Sequence, residues 1–530
     1  MRPRLLLPAL AAVLGALLWF ALRASPRDEL LAGKVIRIDL GIPPESAASL
    51  GAQPKAFAPV TLSTPGEPRL ERVALRLKGV SSFRPISDPR PGFSLRVGRE
   101  VKDQRFLGLD VFQLNNSVQD GTFMNELFGS EMARHAGQPA SRCTLALLSV
   151  NGQPRGTYVL KEGFDEIFLG RFHRDASGQL YDGGLHNDIQ TGLELDRGPS
   201  GDKAPITEFS EALRDPDPLR RLARLERILD IDAYLRYLTI ENILVQMDGY
   251  SHRANNYRTY HNPSTGKFTF VLHGMDNLLG FDAWGASDPR AYVLSVPRVA
   301  PLYPGASETA VAHALWTLPP EAGIRARFRR QAADLHARCF RDVDWPARAE
   351  ARAADLARQL SLLDPAEGKA FVDRSREFVR RLRIRMGHVH SQFADLERLA
   401  RPGAGPASLG DYPWVRSGDA VPVDEGGAKA YRLRVASGKA EIRLPLSLEP
   451  GAYRLSVPVR LSGLRAAAFR CRLGATEPAA SPVLDSDGPS RLHAVELAVG
   501  HGDPALVIEL GGEAGEALVD LAGLRLERLR

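Results

Sequence analysis

ILDIDAYLRYLTIENILVQMDGYSHRANNYRTYHNPSTGKFTFVLHGMDNLLGF, residues 228–281, changes pattern three times. Its first part belongs to a helical run, 216–246, that splits near Asp230–Asp232. The densest polar segment of the chain follows, Asp248 to Tyr257. Phe268–Leu272 then reads as a short strand, and Asp276 stands just beyond it. One acid and one amide thus fall on a loop after a helix, and a second acid at the end of a strand. Phosphoryl transfer needs such parts: a carboxylate to orient the attacking hydroxyl, and carboxylate and amide oxygens to hold Mg²⁺ on phosphates. Oxygen donors suit Mg²⁺ or Mn²⁺ rather than zinc. Spacing alone leaves a plain turn open, because Asp, Asn and Gly are also the ordinary turn residues.

The elements upstream supply an order. Residues 72–78 alternate as a strand, 79–92 are turn-rich, and 93–97 form another strand with Arg96 at its centre. Residues 120–136 read as a helix, capped by Asp120 or Thr122 and stopped by Gly137. Two strands, 143–151 and 156–162, meet at Asn151-Gly152, a strong hairpin signal. On a helical wheel, Phe123, Met124, Leu127, Phe128 and Met132 share one face. Glu131 falls near the middle of that face, while Glu126 points away. A Glu on an apolar face is costly unless paired, so Arg96 is its expected partner. The alternative is a Glu131 that reaches solvent or pairs locally.

These segments resemble the CotH kinase family, the spore-coat-protein-H-like atypical protein kinases. The resemblance runs through LRLKGVSSF (75–83), PGFSLRV (91–97), GSEMARHAGQPASR (129–142), VNGQPRGTYVLKEGFDEIFL (150–169) and the stretch 228–281, in family order. It implies ATP with Mg²⁺ or Mn²⁺. It implies Asp248 as the residue that orients the acceptor hydroxyl. Asn256, less clearly Asn255, and Asp276 become the metal-binding residues. Arg96 becomes a phosphate clamp paired with Glu131, and Gly79, Ser81 and Ser82 the turn over the phosphates. Lys161 and Glu162, ending the hairpin's second strand, fall near the adenine. The family often shows Trp-Asp-x-Asp after the last strand. Here His273, Gly274, Met275 and Asp276 stand there, so the first acid is missing, and Arg90 and Arg96 replace phosphate-segment lysines.

The rest of the chain adds the setting. Among 530 residues, 69 Lys and Arg face 63 Asp and Glu, giving a net charge of +6, and no nucleic-acid partner is expected. Arg2 and Arg4 precede an apolar run, Leu5–Leu22. The run reads as a membrane-targeting segment within 1–28, uncleaved because Leu22 or Trp19 would occupy the −3 position. The bulk of the chain would then lie outside the cytoplasm, or be secreted after cleavage. Three Cys spaced far apart suit no zinc site and read as unpaired.

The fold class expected is α+β. A two-lobed kinase-like domain, 33–400, is followed by a linker, 401–410, and a jelly-roll-like β-sandwich, 411–530. Residues 33–63 read as a strand and a loop, and His252 as a solvated loop residue. If the tail binds polysaccharide, its candidate stacking aromatics are Tyr412, Trp414, Tyr431, Tyr453 and Phe469. The leading expectation is an exported, membrane-anchored kinase that phosphorylates Ser or Thr of a surface or envelope protein. The alternative is an inactive kinase-like envelope scaffold with a glycan-binding tail. No paired carboxylates support a polymer hydrolase.

Overall fold

The computed structural model describes residues 25–281, 285, 287–296, 307–425, 428–473, 484–499 and 505–529. The apolar run Leu5–Leu22 and Trp284 lie outside them. Among the described residues no helix is long and apolar enough to cross a membrane. The chain forms two compact units: Met1–Leu127 with Ser141–Arg171 and Ala351–Arg376, and Phe128–Ala140 with Phe172–Glu350 and Glu377–Arg530.

The first unit is built on a closed seven-stranded barrel. After helix α1 (Pro26–Leu31) come β1 (Ile36–Gly41), α2 (Pro44–Ala52), β2 (Ala58–Ser63), β3 (Leu70–Leu77), β4 (Phe93–Arg96) and β5 (Val111–Asn115). Helix α3 (Asn125–His135) begins in this unit, and β6 (Cys143–Val150) and β7 (Gln153–Glu162) complete the barrel. The strand order is β1-β2-β3-β4-β5-β7-β6, and β1 closes the ring by pairing parallel with β6. Alternate residues fill the interior, among them Ile38, Leu62, Leu75, Leu95, Phe112 and Leu160, each buried. The β6–β7 turn has φ of 50° at Asn151 and 76° at Gly152, the paired left-handed geometry expected of that dipeptide. Residues 33–63 depart from the strand-and-loop reading. Pro44 sits in the first turn of α2, where a missing N–H costs nothing, so the Pro- and Ala-rich stretch yields a helix and a second strand.

The second unit carries a four-stranded antiparallel sheet ordered β11-β10-β8-β9. Its strands are β8 (Gln179–Asp182), β9 (Glu194–Arg197), β10 (Tyr257–Asn262) and β11 (Lys267–Leu272). After α4 (Glu166–Gly170), which belongs to the first unit, the helices are α5 (Ala204–Arg214), α6 (Pro218–Ile228), α7 (Ile231–Leu244), α8 (Tyr250–Arg253), α9 (Ala310–Trp316) and α10 (Ile324–Cys339). Helices α11 (Trp345–Leu363) and α12 (Pro365–Leu399) have residues in both units. The Asp230 carboxylate caps α7 by accepting from the Ala233 N–H at 2.9 Å. Twelve of the 14 residues of α7 are buried, which makes it a core helix rather than an amphipathic one.

The C-terminal part of this unit is all strand: β12 (Ala407–Ser408), β13 (Val415–Ser417), β14 (Asp419–Glu425), β15 (Ala428–Val435), β16 (Gly438–Pro445), β17 (Gly451–Leu473), β18 (Gly488–Val499), β19 (Ala505–Asp520) and β20 (Arg525–Arg528). Residues 452–461 and 468–473 belong to one strand, β17. It pairs with β18 and β20 through its first half and with β19 from Val459 to Leu473, on both sides of an irregularity at Ser462/Arg465. The stretch 401–410 is not linker throughout: Ala407 and Ser408 pair with Leu526 and Arg525. Tyr412, Trp414, Tyr453 and Phe469 are buried, and Tyr431 alone of the five candidate stacking aromatics keeps partial exposure. Among the described residues the three cysteines form no disulfide.

Candidate functional site

In the first unit the buried ion pair is not the one expected. Lys161, at the end of β7, pairs with Glu126 in the first turn of α3, and both are 2% exposed. The Asp120 carboxylate accepts the Asn125 N–H at 2.9 Å, and Phe123 has φ of 62°, so α3 starts five residues later than Asp120. With that start the first turn is enclosed all round, and Glu126 meets a strand rather than water. Glu131 instead pairs with Arg348 at 2.9 Å, with both partly exposed. The Arg96 guanidinium lies 5.7 Å from the Phe57 ring centre. Lys161 and Glu126 therefore replace Arg96 and Glu131 as the enclosed cation–carboxylate pair. Arg90 is likewise taken up by structure: it donates to the Thr157 carbonyl at 2.6 Å and the Asn116 carbonyl at 3.2 Å.

Glu162, one residue on, projects into a second cluster. It accepts from Arg27 at 2.9 Å, from the Arg142 N–H at 2.7 Å and from Arg171. Burial pushes the Glu162 carboxyl up, but Arg171, Arg142 and Arg27 together hold it below its ordinary value. Asp165 completes the cluster by binding Arg27 at 2.6 Å. In the 79–92 turn Gly79 has φ of 99°, and a Cβ there would lie 2.8 Å from the Phe83 nitrogen. Ser81 is exposed, and the Ser82 carbonyl accepts from Asn116 at 3.1 Å.

The second unit carries the acids and amides. Helix α7 ends at Val245 in the left-handed conformation, and the chain turns into the Asp248 loop. Asp248 stays 16% exposed and accepts from Arg253 at 3.2 Å. Beneath it lies Glu241, fully buried, whose Oε2 accepts the Ser251 N–H at 3.1 Å. A Cβ on Gly249 would lie 2.0 Å from Glu241 Oε1, so only glycine lets the loop pass over that carboxyl. Burial raises the Glu241 carboxyl to about 7. His252 is not solvated: it is buried against Asn242 at 2.9 Å, and burial takes its pKa to about 3, so it is neutral.

Two hydrogen bonds tie this loop to the one after β11. Gln246 donates to the His273 carbonyl at 2.8 Å, and Asn256 donates through its amide nitrogen to the Gly274 carbonyl at 3.2 Å. The nitrogen being so engaged assigns Oδ1 of Asn256 as the oxygen available to a cation. Gly274 has φ of 59°, and a Cβ there would lie 2.5 Å from the Asn256 amide carbon. The Asn256 side chain thus fills the space that an acid at 274 would need. Asp276 is half-buried two residues further, and Asn255 is buried. Among the described residues no group of three His, Cys, Asp or Glu is placed to hold a metal. The donors at hand are one carboxylate and one or two amides, all hard oxygens, which fit Mg²⁺ or Mn²⁺ carried largely by phosphate.

Sequence reading paired Glu131 rather than Glu126 with a cation and did not single out Glu241. The available signals were a Lys near the end of an apolar strand and a Glu in a mostly apolar helix.

Comparison with known proteins bears on the same segments. Inner spore coat protein H of Bacillus subtilis (strain 168) is 23% identical over 203 residues, which is 36% of this chain and 55% of that protein. Invasin CotH3 of Rhizopus delemar is 24% identical over 218 residues, 37% of this chain and 36% of that protein. The chain therefore spans between about a third and just over half of these relatives' lengths. Among solved structures, the Helicobacter pylori proinflammatory kinase CtkA covers 56% of this chain, with 94% of its own chain matched, at 9% identity and a TM-score of 0.25. TmCBM61 in complex with beta-1,4-galactotriose covers 22% of this chain, with 88% of its own matched, at 16% identity and a TM-score of 0.18. Neither score establishes a shared fold. The sequence match is the firmer finding: residues 75–301 match the family model described as CotH kinase protein.

Proposed function

We propose that the chain is an atypical kinase that transfers the γ-phosphoryl group of ATP to a Ser or Thr hydroxyl of a surface or envelope protein. In this reading the barrel unit is the N-lobe and the sheet-and-helix part of the second unit the C-lobe. The strand-rich tail is a jelly-roll-like appendage, and the N-terminal segment an anchor that keeps the bulk outside the cytoplasm. The observation that carries the reading is the pair of cross-tied loops bearing Asp248, Asn256 and Asp276, the first of which follows a helix buried at 12 of its 14 residues.

Asp248, held by Arg253, orients the acceptor hydroxyl and accepts its hydrogen bond. Asn256 and Asp276 would hold Mg²⁺ or Mn²⁺, which when bound neutralises charge on the phosphates. The hydroxyl oxygen forms the new P–O bond and gives its proton to the Asp248 carboxylate, the bond from the γ-phosphorus to the β-phosphate oxygen breaks, and ADP leaves. Positioning and charge neutralisation carry most of such a reaction.

One observation favours a second reading, an inactive scaffold: Asn256 occupies the space of the missing acid. The full chain is incubated with γ-labelled ATP and Mg²⁺ or Mn²⁺, beside Asp248→Asn and Asp276→Ala. Incorporation that both changes abolish supports the kinase. No incorporation and no nucleotide-dependent rise in melting temperature support the scaffold.

A further inference from the structure

The segment Pro289–Ser295 is fastened at almost every backbone group. Arg385 of α12, fully buried, donates to the carbonyls of Pro289 and Ala291, each at 2.7 Å. The same guanidinium donates to Asn242 at 2.7 Å and Ile243 at 2.9 Å, carbonyls of the last turn of α7. The Asn242 carbonyl also accepts the Val245 N–H at 3.2 Å, and a cation is favourable at that end of the helix dipole. Gln392 accepts the Val293 N–H at 2.9 Å and donates to the Arg290 carbonyl at 2.7 Å. Asn242 donates to the carbonyls of Val293 at 3.2 Å and Ser295 at 2.8 Å, and its oxygen meets His252, four residues past Asp248.

The strand-rich tail grips the same segment. The Tyr292 hydroxyl accepts the Ser447 N–H at 3.3 Å, and its ring lies 5.9 Å from that of Tyr412. Tyr412 in turn donates to Asp395 of α12 at 3.4 Å, and Arg329 of α10 binds Glu449 at 2.9 Å. Four of the tail's five aromatic side chains are thus spent inside, some of them on this contact, rather than offered to a ligand.

We infer that Arg385 is a positioning residue for the Asp248 loop, and that the tail's task is to brace that loop through Tyr292 and the segment Pro289–Ser295. The kinetic part of this inference rests on the phosphotransfer reading, whereas the structural part does not. A chain of discrete hydrogen bonds links Ser447 to His252 without leaving buried side chains and backbone.

The test uses the full chain with Arg385→Met and Tyr292→Ala, and the milder Arg385→Lys and Tyr292→Phe. Hydrogen exchange is followed in peptides covering 242–256, and label transfer from ATP is measured with Mg²⁺. Losing one or two of these hydrogen bonds should raise exchange in 242–256 about tenfold in the severe variants. Arg385→Lys, which keeps the charge but reaches fewer carbonyls, should restore part of the protection. Turnover should fall about tenfold with the KM for ATP unchanged, the mark of a group that positions the reacting residue. Variants that melt earlier while exchange in 242–256 stays at the wild-type rate would overturn the inference, as would Tyr292 variants that loosen the tail alone. If a severe variant does not fold, the milder one at that position decides by the same readout. If the wild-type protein transfers no label, the phosphotransfer reading fails, and exchange alone decides the brace.

Discussion

Glu241 offers a quantitative check on the frame beneath Asp248. Its carboxyl is fully buried and raised from an ordinary 4.5 to about 7, chiefly by burial. A carboxyl whose folded pKa lies above its unfolded value contributes stability at low pH and loses it as pH rises through the folded value. For a shift from 4.5 to about 7, the loss between pH 5 and pH 8 is about 2.5 kcal/mol. Glu241→Gln removes the titration and keeps an oxygen for the Ser251 N–H. It also sets an amide group beside Gly249, where an unpaired donor costs about 1–3 kcal/mol at any pH. The stability of the variant minus that of the wild type should therefore climb by about 2.5 kcal/mol from pH 5 to pH 8, whatever its absolute value. Urea unfolding at four pH values, followed by tryptophan fluorescence, measures it. The described tryptophans, Trp316, Trp345 and Trp414, all lie in the second unit and report its transition. A difference that stays flat across this range would mean that Glu241 is not held protonated by burial, and the account of the loop's support would fail.

Three further outcomes follow from the same physics. Lys161→Met leaves Glu126 enclosed without its cation and should cost about 3–5 kcal/mol, while Lys161→Met with Glu126→Gln should recover most of it; chemical denaturation of the two variants beside the wild type checks both. Arg27→Met strips a cation from buried Glu162 and Asp165 and should destabilise the first unit by a similar 3–5 kcal/mol, read as earlier proteolysis within residues 141–171. Gly274→Asp, which writes back the missing acid, should lower the melting temperature and not raise metal-dependent nucleotide binding. Its left-handed backbone costs about 1–2 kcal/mol, and its Cβ displaces the Asn256 amide. Calorimetry with a non-hydrolysable ATP analogue and Mg²⁺ decides the binding half.

What could be read without coordinates was whatever depends on near neighbours in sequence. The Asn151-Gly152 hairpin and the Asp230 start of α7 follow from local backbone preference, and both elements form where that preference puts them. Strand β10 escaped because Tyr257–Asn262 is polar by composition; its aromatic and β-branched side chains fit a pleated sheet only once β8 and β11 flank it. Barrel closure was equally hidden, since the parallel β1–β6 pairing joins residues more than 100 positions apart. The ion pair shows the limit most sharply. A wheel ranks positions by their place around one helix, and on that ranking Glu131 should be the enclosed acid. Enclosure at Glu126 instead comes from the end of β7, which brings Lys161 to the first turn.

Gly274 teaches the converse. Read in sequence, it is either a lost metal carboxylate or a glycine version workable with Asp276 alone. In the structure its φ of 59° and its contact with Asn256 belong together, because the residue without a side chain is the one that lets the amide stand where it does. A site that had simply lost an acid would leave a space that an acid could refill. Here the Asn256 amide stands in that space, so on the phosphotransfer reading metal binding would turn on Asn256 and Asp276 as they stand. The Gly274→Asp variant separates these two histories more cleanly than any loss-of-function change at Asp276.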